Sequence, residues 1–432
     1  MRPRTHSPRI VIVGGGTAGL LLATRLGRQL GKAGHARITL VDRSLTHLWK
    51  PMLHTIAAGT RDVHQHKVSL LAQARTHGFG YEPGELCGID RATRQVRLAA
   101  LPDATSALVG PRSLPYDVLV LALGSGANDF GVPGVQAHCH FIDSPAQAES
   151  FNERLRWQLF RGALQDESVS IGIVGAGATG VELAAELSHL LELAAHFGDP
   201  SLRERLQLTL YESAPRILAA FPERVSESSH RVLDRLGFQI RTGTRVLQAS
   251  ADGLTTAQTP LHSADMLVWA AGIKAPEVLS RLDGLPTNAS HQVVVNAALQ
   301  STDDDHVFAL GDCSTLTLPD QSRPLPASAQ VAVQQATHLA KHLPGWLQGR
   351  PIPAFRYRDL GSLVSLGRYG AYGSVGKASP FAGQFLGGHV ARLGHELVYR
   401  NYQRALHGLG KTSLLWATEG LNSWPHPGIR LS

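Results

Sequence analysis

The sequence predicts an α/β chain with two parallel-sheet domains in series and a C-terminal region of different character. Two observations predict it. Short β-branched runs at residues 10–13 and 170–174 end directly in glycine clusters that open apolar helices. After each helix, a second apolar run closes on an acid, Asp42 in one case and Glu212 in the other. A unit that recurs whole after about 160 residues is a duplicated domain, not a solenoid period. Composition agrees, because 432 residues exceed one ordinary domain and 43% hydrophobic against 17% charged describes a folded chain.

Taken in order, residues 10–13 read as a buried strand, 18–30 as a helix and 37–41 as a second strand, which together make a β-α-β unit. Residues 116–122 are a further buried strand, closed by Gly124. The pattern restarts with a strand at 170–174, a glycine turn at 175–180, a helix at 181–197, a polar loop at 198–205 and a strand at 207–211. Strands at 266–271 and 306–310 follow, the first ending at Gly272 and the second at Gly311-Asp312. A helix is expected to open over 326–335, with Pro326 early and small residues after it. Leu386, Val390, Leu393 and Leu397 recur at helical spacing, accompanied by Arg392, Arg400, Arg404 and Lys411, then Leu414, Leu415, Trp416 and Trp424.

Two glycine turns carry chemistry. In Gly14-Gly15-Gly16-Thr17-Ala18-Gly19, Gly14 allows the tight turn, Gly16 admits a pyrophosphate and Gly19 lets helix and sheet pack closely. The helix N-terminus then offers N–H groups to the anion, and Asp42 can accept from a ribose hydroxyl. Gly175-Ala176-Gly177-Ala178-Thr179-Gly180 repeats the device with Glu212 as its acid, which favours a free 2′-hydroxyl, hence NAD over NADP. Arg216, four residues on, is the cation that weighs against this preference. Gly311-Asp312 puts a carboxylate at a strand's carboxyl end, either as a turn residue or as a ligand contact.

Other classes fall away. The formal charge of +7 is spread without a patch or tail, so no nucleic-acid partner is expected. Cys87, Cys139 and Cys313 are too far apart for a disulfide framework or a zinc site, and no His or Cys spacing is read as a metal site. The apolar run after the basic start is too short for a signal-peptide core. No stretch approaches the ~18 apolar residues of a spanning helix.

The two turns in this order, with Gly311-Asp312 behind them, resemble the pyridine-nucleotide-dependent flavoproteins that hold FAD in one domain and NAD(P) in another. The resemblance covers residues 9 to 345 or so. It implies two Rossmann-like domains, the NAD domain inserted in the FAD domain. The expected division is 1–150 and 296–350 for FAD, 151–295 for NADH and 351–432 for membrane association or dimerisation. The implied cofactor-binding set is Gly14, Gly16, Thr17, Ala18, Gly19, Asp42, Arg43, Lys50, Pro51, Gly124, Asp312, Ala329, Gln330, Gly175, Gly177, Thr179, Gly180, Glu182, Glu212 and Gly272.

The cysteines lack the local pair of the group's disulfide reductases, so electrons are expected to leave the flavin without a thiol relay. Three segments resemble the type II NADH dehydrogenases: residues 47–59 (His-Leu-Trp-Lys-Pro-Met-Leu-His-Thr-Ile-Ala-Ala-Gly), the A-Q-x-A-x-Q segment at 329–334, and G-x-x-x-x-x-G-R at 361–368. This resemblance implies hydride transfer from NADH to FAD, then two electrons to a membrane quinone, and with no membrane-spanning segment or proton pathway in the sequence no proton pumping is expected. It places Glu182, Gln330 and Gln334 in the catalytic set. From the residues alone, Glu182 reads equally as a first-turn acid favoured by the helix dipole, and the two glutamines as a solvated face. Trp49, Lys50 and Pro51 are a flavin wall or packing. The basic tail suits peripheral attachment at the cytoplasmic face of the inner membrane, with a docked helix or a homodimer contact as the alternatives. It is more polar than the tails of many relatives. A ferredoxin- or rubredoxin-type reductase and a flavin-bound redox sensor are the rival functions.

Overall fold

A computed structural model describes residues 7–102, 107–197, 205–319 and 321–422. The expected loop at 198–205, apart from Arg205, and Trp424 lie outside the described residues. The chain divides into two compact units, residues 1–50, 66–126 and 273–357, and residues 51–65, 127–272 and 358–432.

The first unit is built on the strand Arg9–Val13. Residues 10–13 are at most 2% exposed because sheet neighbours and helices cover them on every side. It pairs in parallel with Arg37–Asp42 and with Val118–Leu121. Outward from these lie Gly80–Pro83 on one flank and Asp304–Ala309 on the other, the latter edged by Gln300–Ser301. The connections leave the central strand in opposite directions, which opens a crevice beyond its carboxyl end.

Boundaries shift where side chains intervene. The strand expected from residue 116 starts at Val118, because the Asp117 carboxylate accepts from the Arg9 N–H at 2.7 Å and from its guanidinium at 3.1 and 3.2 Å. The helix expected at 18–30 spans Thr17–Leu26 and winds on as a wider π turn over Gly27–Gly31. The strand expected at 306–310 is Asp304–Ala309.

The second unit repeats the plan with four parallel strands in the order Phe238–Arg241, Leu206–Tyr211, Val169–Val174, Met266–Trp269. The last strand stops short of residue 271 because the chain turns to pair with another segment. Trp269 Nε1 donates to Asn128 O at 2.7 Å, and Ala271 O accepts from Asn128 N. The long helix Pro145–Gln165 starts at Ser144, whose hydroxyl accepts from Gln147 N, with proline in its first turn.

An antiparallel sheet of Gly361–Ser365, Ala371–Val375 and Phe385–Gly387 precedes the helices His389–His407 and Leu409–Asn422. Leu386, expected on the helix, lies in the sheet instead, because the positive-φ Gly388 separates strand from helix. The rest of the expected stripe faces outward: Val390, Leu393 and Leu397 are more than half exposed, while Ala391, Tyr402 and Leu406 are buried.

Candidate functional site

The two glycine turns match bond for bond. Gly14 N donates to Val41 O and Gly175 N to Tyr211 O, both at 2.8 Å. Asp42 accepts from Gly15 N at 2.5 Å and from Ser44 N at 2.7 Å, while Glu212 accepts from Ala176 N and Ala214 N, both at 2.8 Å. Gly14 and Gly175 sit at φ +107° and +100°, where a side chain would be strained. A Cβ on Gly19 or Gly180 would lie 1.9 Å from the carbonyl oxygen of Gly14 or Gly175 respectively. The middle glycines differ. Gly16 and Gly177 are exposed, with no heavy atom closer than 4.0 Å to a Cβ at Gly16 and none within 4 Å at Gly177. An anion therefore has room to approach each helix N-terminus, and each turn fits a dinucleotide. Burial raises the Asp42 carboxyl above its usual range, and the Ser44 and Gly15 N–H groups oppose that shift.

In the first unit the Gly-Asp turn joins this crevice. Gly311 N donates to Gln335 Oε1 at 2.7 Å, and a Cβ on Gly311 would stand 3.2 Å from Ala332 Cβ and 3.9 Å from Ala18 Cβ. Three elements thus converge there: the helix Thr17–Leu26, the Gly311–Cys313 turn and the helix Ala329–Trp346. Asp312 accepts from Ser125 Oγ at 2.9 Å, and Lys50 Nζ donates to Ser125 O at 2.5 Å. Gly124, beside Ser125, is at φ +70° with open space around it. Arg43 stands apart, exposed and paired to Glu85. Trp49 is buried.

The helix expected from Pro326 begins at Ala329, because Ser328 caps it by accepting from Val331 N. Gln334 Nε2 reaches Gln330 Oε1 at 3.5 Å, so the two glutamines share a face, and Tyr357 OH donates to Gln330 Oε1 at 3.3 Å. Gln335, which periodicity gave no reason to select, is buried and ties the helix to Gly311.

In the second unit Glu182 is not a first-turn acid. The helix opens at Ala178, which puts Glu182 in its second turn with a buried carboxyl turned away from the helix's own N–H groups. Oε1 accepts from Ser365 N at 3.0 Å and lies 3.8 Å from His395 Nε2, while Oε2 lies 3.4 Å from His54 Nδ1. Burial pushes Glu182 up to about 8, with Glu186 adding to the rise and the Ser365 N–H opposing it. Burial pushes His54 down to about 3, helped by His395 and Arg61. Both shifts favour the uncharged pair, with the proton kept on the carboxyl. One turn along, Glu186 accepts a short hydrogen bond from Thr60 Oγ1 and is likewise raised by burial. His54 and His395 were not selected from the sequence: a histidine within an apolar segment looks the same there whether or not a carboxyl faces it.

Glu212 meets no cation at Arg216, whose guanidinium donates to the carbonyls of Leu218, Ala219 and Phe221. Thr179 is exposed at the helix start. Gly272, at φ +61°, leaves a Cβ only 2.4 Å from the Phe130 ring. All three cysteines are free; Cys313 is fully buried, with Sγ facing Leu310 O at 3.3 Å. Among the described residues no group of three or more His, Cys, Asp or Glu could hold a metal ion. His338 and His342 do stand four apart on one helix, and His338 Nε2 lies 2.9 Å from Pro353 O.

Residues 8–336 match the pyridine nucleotide-disulphide oxidoreductase family. The chain is 39% identical to a type II NADH:quinone oxidoreductase of Haemophilus influenzae, over 98% of this chain and 99% of that one. It is 27% identical to the enzyme of the same name from Staphylococcus saprophyticus, over 85% and 89%. The structure of NDH2 from Plasmodium falciparum in complex with NADH superposes with a TM-score of 0.83 at 16% identity, covering 98% of this chain and all of that one. The sulfide:quinone oxidoreductase of Aquifex aeolicus gives 0.72 at 18%, over 93% and 92%. At these identities the two structures speak for the fold alone. Sequence identity over nearly the whole length, together with the paired glycine–acid turns, places the chain in the pyridine nucleotide-disulphide oxidoreductase family and, within it, among the type II NADH:quinone oxidoreductases.

Proposed function

We propose that this chain oxidises NADH and passes two electrons through FAD to a quinone. The observation that carries the reading is the duplicated turn: two helix N-termini, each with an open middle glycine and an acid bonded to the turn's own backbone. The first turn, with Asp42, Gly124, Asp312 and the start of the helix Ala329–Trp346, is the FAD site. The second, with Thr179, Glu212 and Gly272, holds NADH.

Bound FAD supplies the two-electron chemistry, and the protein's part is to hold, orient and exclude. Asp42 and Glu212 keep lone pairs toward ribose hydroxyls. With Arg216 committed to three carbonyls, a 2′-phosphate beside Glu212 would meet its negative charge with no help from that guanidinium, so NADH is preferred over NADPH. Gln330 and Gln334 offer amides to quinone carbonyls without titrating. No helix among the described residues is long and apolar enough to cross a membrane. The exposed stripe Val390, Leu393 and Leu397 supports attachment to the surface of a bilayer.

An anaerobic titration tests the reading. NADH, more readily than NADPH, bleaches the visible flavin band of the purified protein, and a soluble quinone restores it. Bleaching that ferredoxin or rubredoxin reverses, but quinone does not, moves the acceptor to a protein. A protein that binds no flavin overturns the proposal.

A further inference from the structure

Reduction of a quinone by NADH balances as NADH + H⁺ + quinone giving NAD⁺ + quinol, so each turnover draws one proton from solvent. If the proposed reaction is right, the chain needs a group that stores a proton near neutral pH and a way to refill it.

Glu182 is such a group. Its carboxyl lies two residues past Gly180, the last glycine of the second turn, and two histidines from separate elements bracket it. His54 Nδ1, on the helix Leu53–Ala57, faces Oε2 at 3.4 Å, and His395 Nε2, on the helix His389–His407, faces Oε1 at 3.8 Å. Exposure falls in sequence along the group: the His395 side chain is 35% exposed, Glu182 10% and His54 5%. His395 is the most exposed of the three, and its two ring nitrogens can relay a proton. A small rotation of its side chain closes the 3.8 Å gap to Oε1. The other charged neighbours are Arg61, which lowers both histidines, with Glu186 beside Glu182 and Arg392 and Glu396 on the helix of His395. Burial first, and Arg61 after it, favour neutral imidazoles, the form that accepts a proton on one nitrogen while releasing one from the other.

We propose that His395 is the proton inlet of this enzyme, carrying protons from solvent to the Glu182–His54 pair, from which each turnover draws one. As the reaction takes up its proton, the Glu182 O–H bond breaks. The His395 Nε2–H bond then breaks to restore it while Nδ1 gains a proton from solvent, and the ring turns over so that an N–H again faces Oε1 before the next turnover. His395 acts only through Glu182.

The test uses the full-length holoenzyme and the substitutions His395→Gln and His395→Ala, at a partly exposed position that tolerates both. Three quantities are read: flavin bleaching by NADH, quinone-linked turnover against pH, and the infrared carboxylic-acid band assigned through Glu182→Gln, followed as it shifts on mixing into deuterated buffer. Expected in both variants are unchanged bleaching and turnover lower by about 100-fold, in the range of lost acid–base assistance. Free imidazole restores part of the turnover in His395→Ala, and deuterium reaches the Glu182 band more slowly. Wild-type turnover, pH profile and exchange rate in both variants overturn the inlet. If instead the wild type fails to reduce quinone at all, the functional proposal falls, and the exchange rate still decides whether His395 feeds Glu182.

Discussion

At the residue scale, a buried acid beside a buried imidazole makes stability depend on pH in a way that can be worked out by sign. Glu182 rises from its ordinary 4.5 to about 8, so between those values the folded chain holds a proton that the unfolded chain has lost, and stability falls as pH rises. His54 drops from 6.5 to about 3, so between those values the unfolded chain holds the extra proton, and stability rises with pH. From about 4.5 to 6.5 the slopes oppose, and above 6.5 Glu182 acts alone. The pair's contribution is therefore greatest between about 4.5 and 6.5 and is lost toward pH 8. Glu182→Gln removes the falling limb, which urea midpoints measured from pH 6.5 to 8 will show as a flatter profile than in the wild type. Glu212 gives a second residue-scale prediction. With Arg216 locked onto carbonyls, Glu212→Gln leaves NADH binding within a few-fold and improves NADPH as substrate by about ten-fold, because one repulsion is removed and no cation is added. KM for both donors checks it.

At the element scale, the two turns are interchangeable in geometry and separable in consequence. A methyl at position 19 or 180 would collide with the carbonyl oxygen of Gly14 or Gly175, a glycine whose own N–H is held to the neighbouring strand at 2.8 Å, so the helix must move and each change costs roughly 1–3 kcal/mol. Gly19→Ala is expected to yield protein depleted of flavin. Gly180→Ala keeps its yellow colour and raises the KM for NADH. Absorbance of the purified variants and one saturation curve separate the outcomes. These turns were legible in the sequence because the demand is local: strand, glycines and helix follow one another, and the acid is one β-α-β unit away. The strands at 10–13 and 170–174 were legible for the same reason: residues 10–13 and 171–174 are buried on both sides and carry no polar side chain, with Ser170 at the strand's start as the exception. What spacing could not carry was contact across the fold. Asp117 on Arg9, Ser365 on Glu182 and His54 opposite the same carboxyl lie 108, 183 and 128 residues apart, and no periodicity links them. The start of the helix at Ala329 was missed for a smaller reason: Pro326 suits a first turn, but Ser328 makes the better cap and the helix waits for it.

At the scale of the whole molecule, one C-terminal helix serves two surroundings. Along His389–His407, Ala391, His395, Tyr402 and Leu406 fall on the side turned to the protein, with Tyr402 and Leu406 nearly closed off from water. Val390, Leu393 and Leu397 fall on the opposite side, and the same spacing of three and four runs on through Arg400 and Arg404. The next helix adds exposed Leu409, Leu414 and Trp416, and the Arg400 guanidinium stands 5.8 Å from the Trp416 ring. Apolar residues that continue into arginines, on a chain with a formal charge of +7, suit a bilayer surface bearing anionic lipids, where each basic residue contributes about 1 kcal/mol near the surface. Two terms should therefore separate in a vesicle co-sedimentation assay. Arg404→Gln lowers binding about five-fold at low salt and little at high salt, because screening already removes its share. Leu393→Ser with Leu397→Ser lowers binding at both, because the apolar term does not screen. Turnover with a short-chain soluble quinone stays at the wild-type level in all of these, since the altered side chains face away from Glu182 and His395. Vesicle binding that survives the leucine double substitution, with a concentration-dependent mass lost in solution, assigns the stripe to a second copy of the chain instead of lipid.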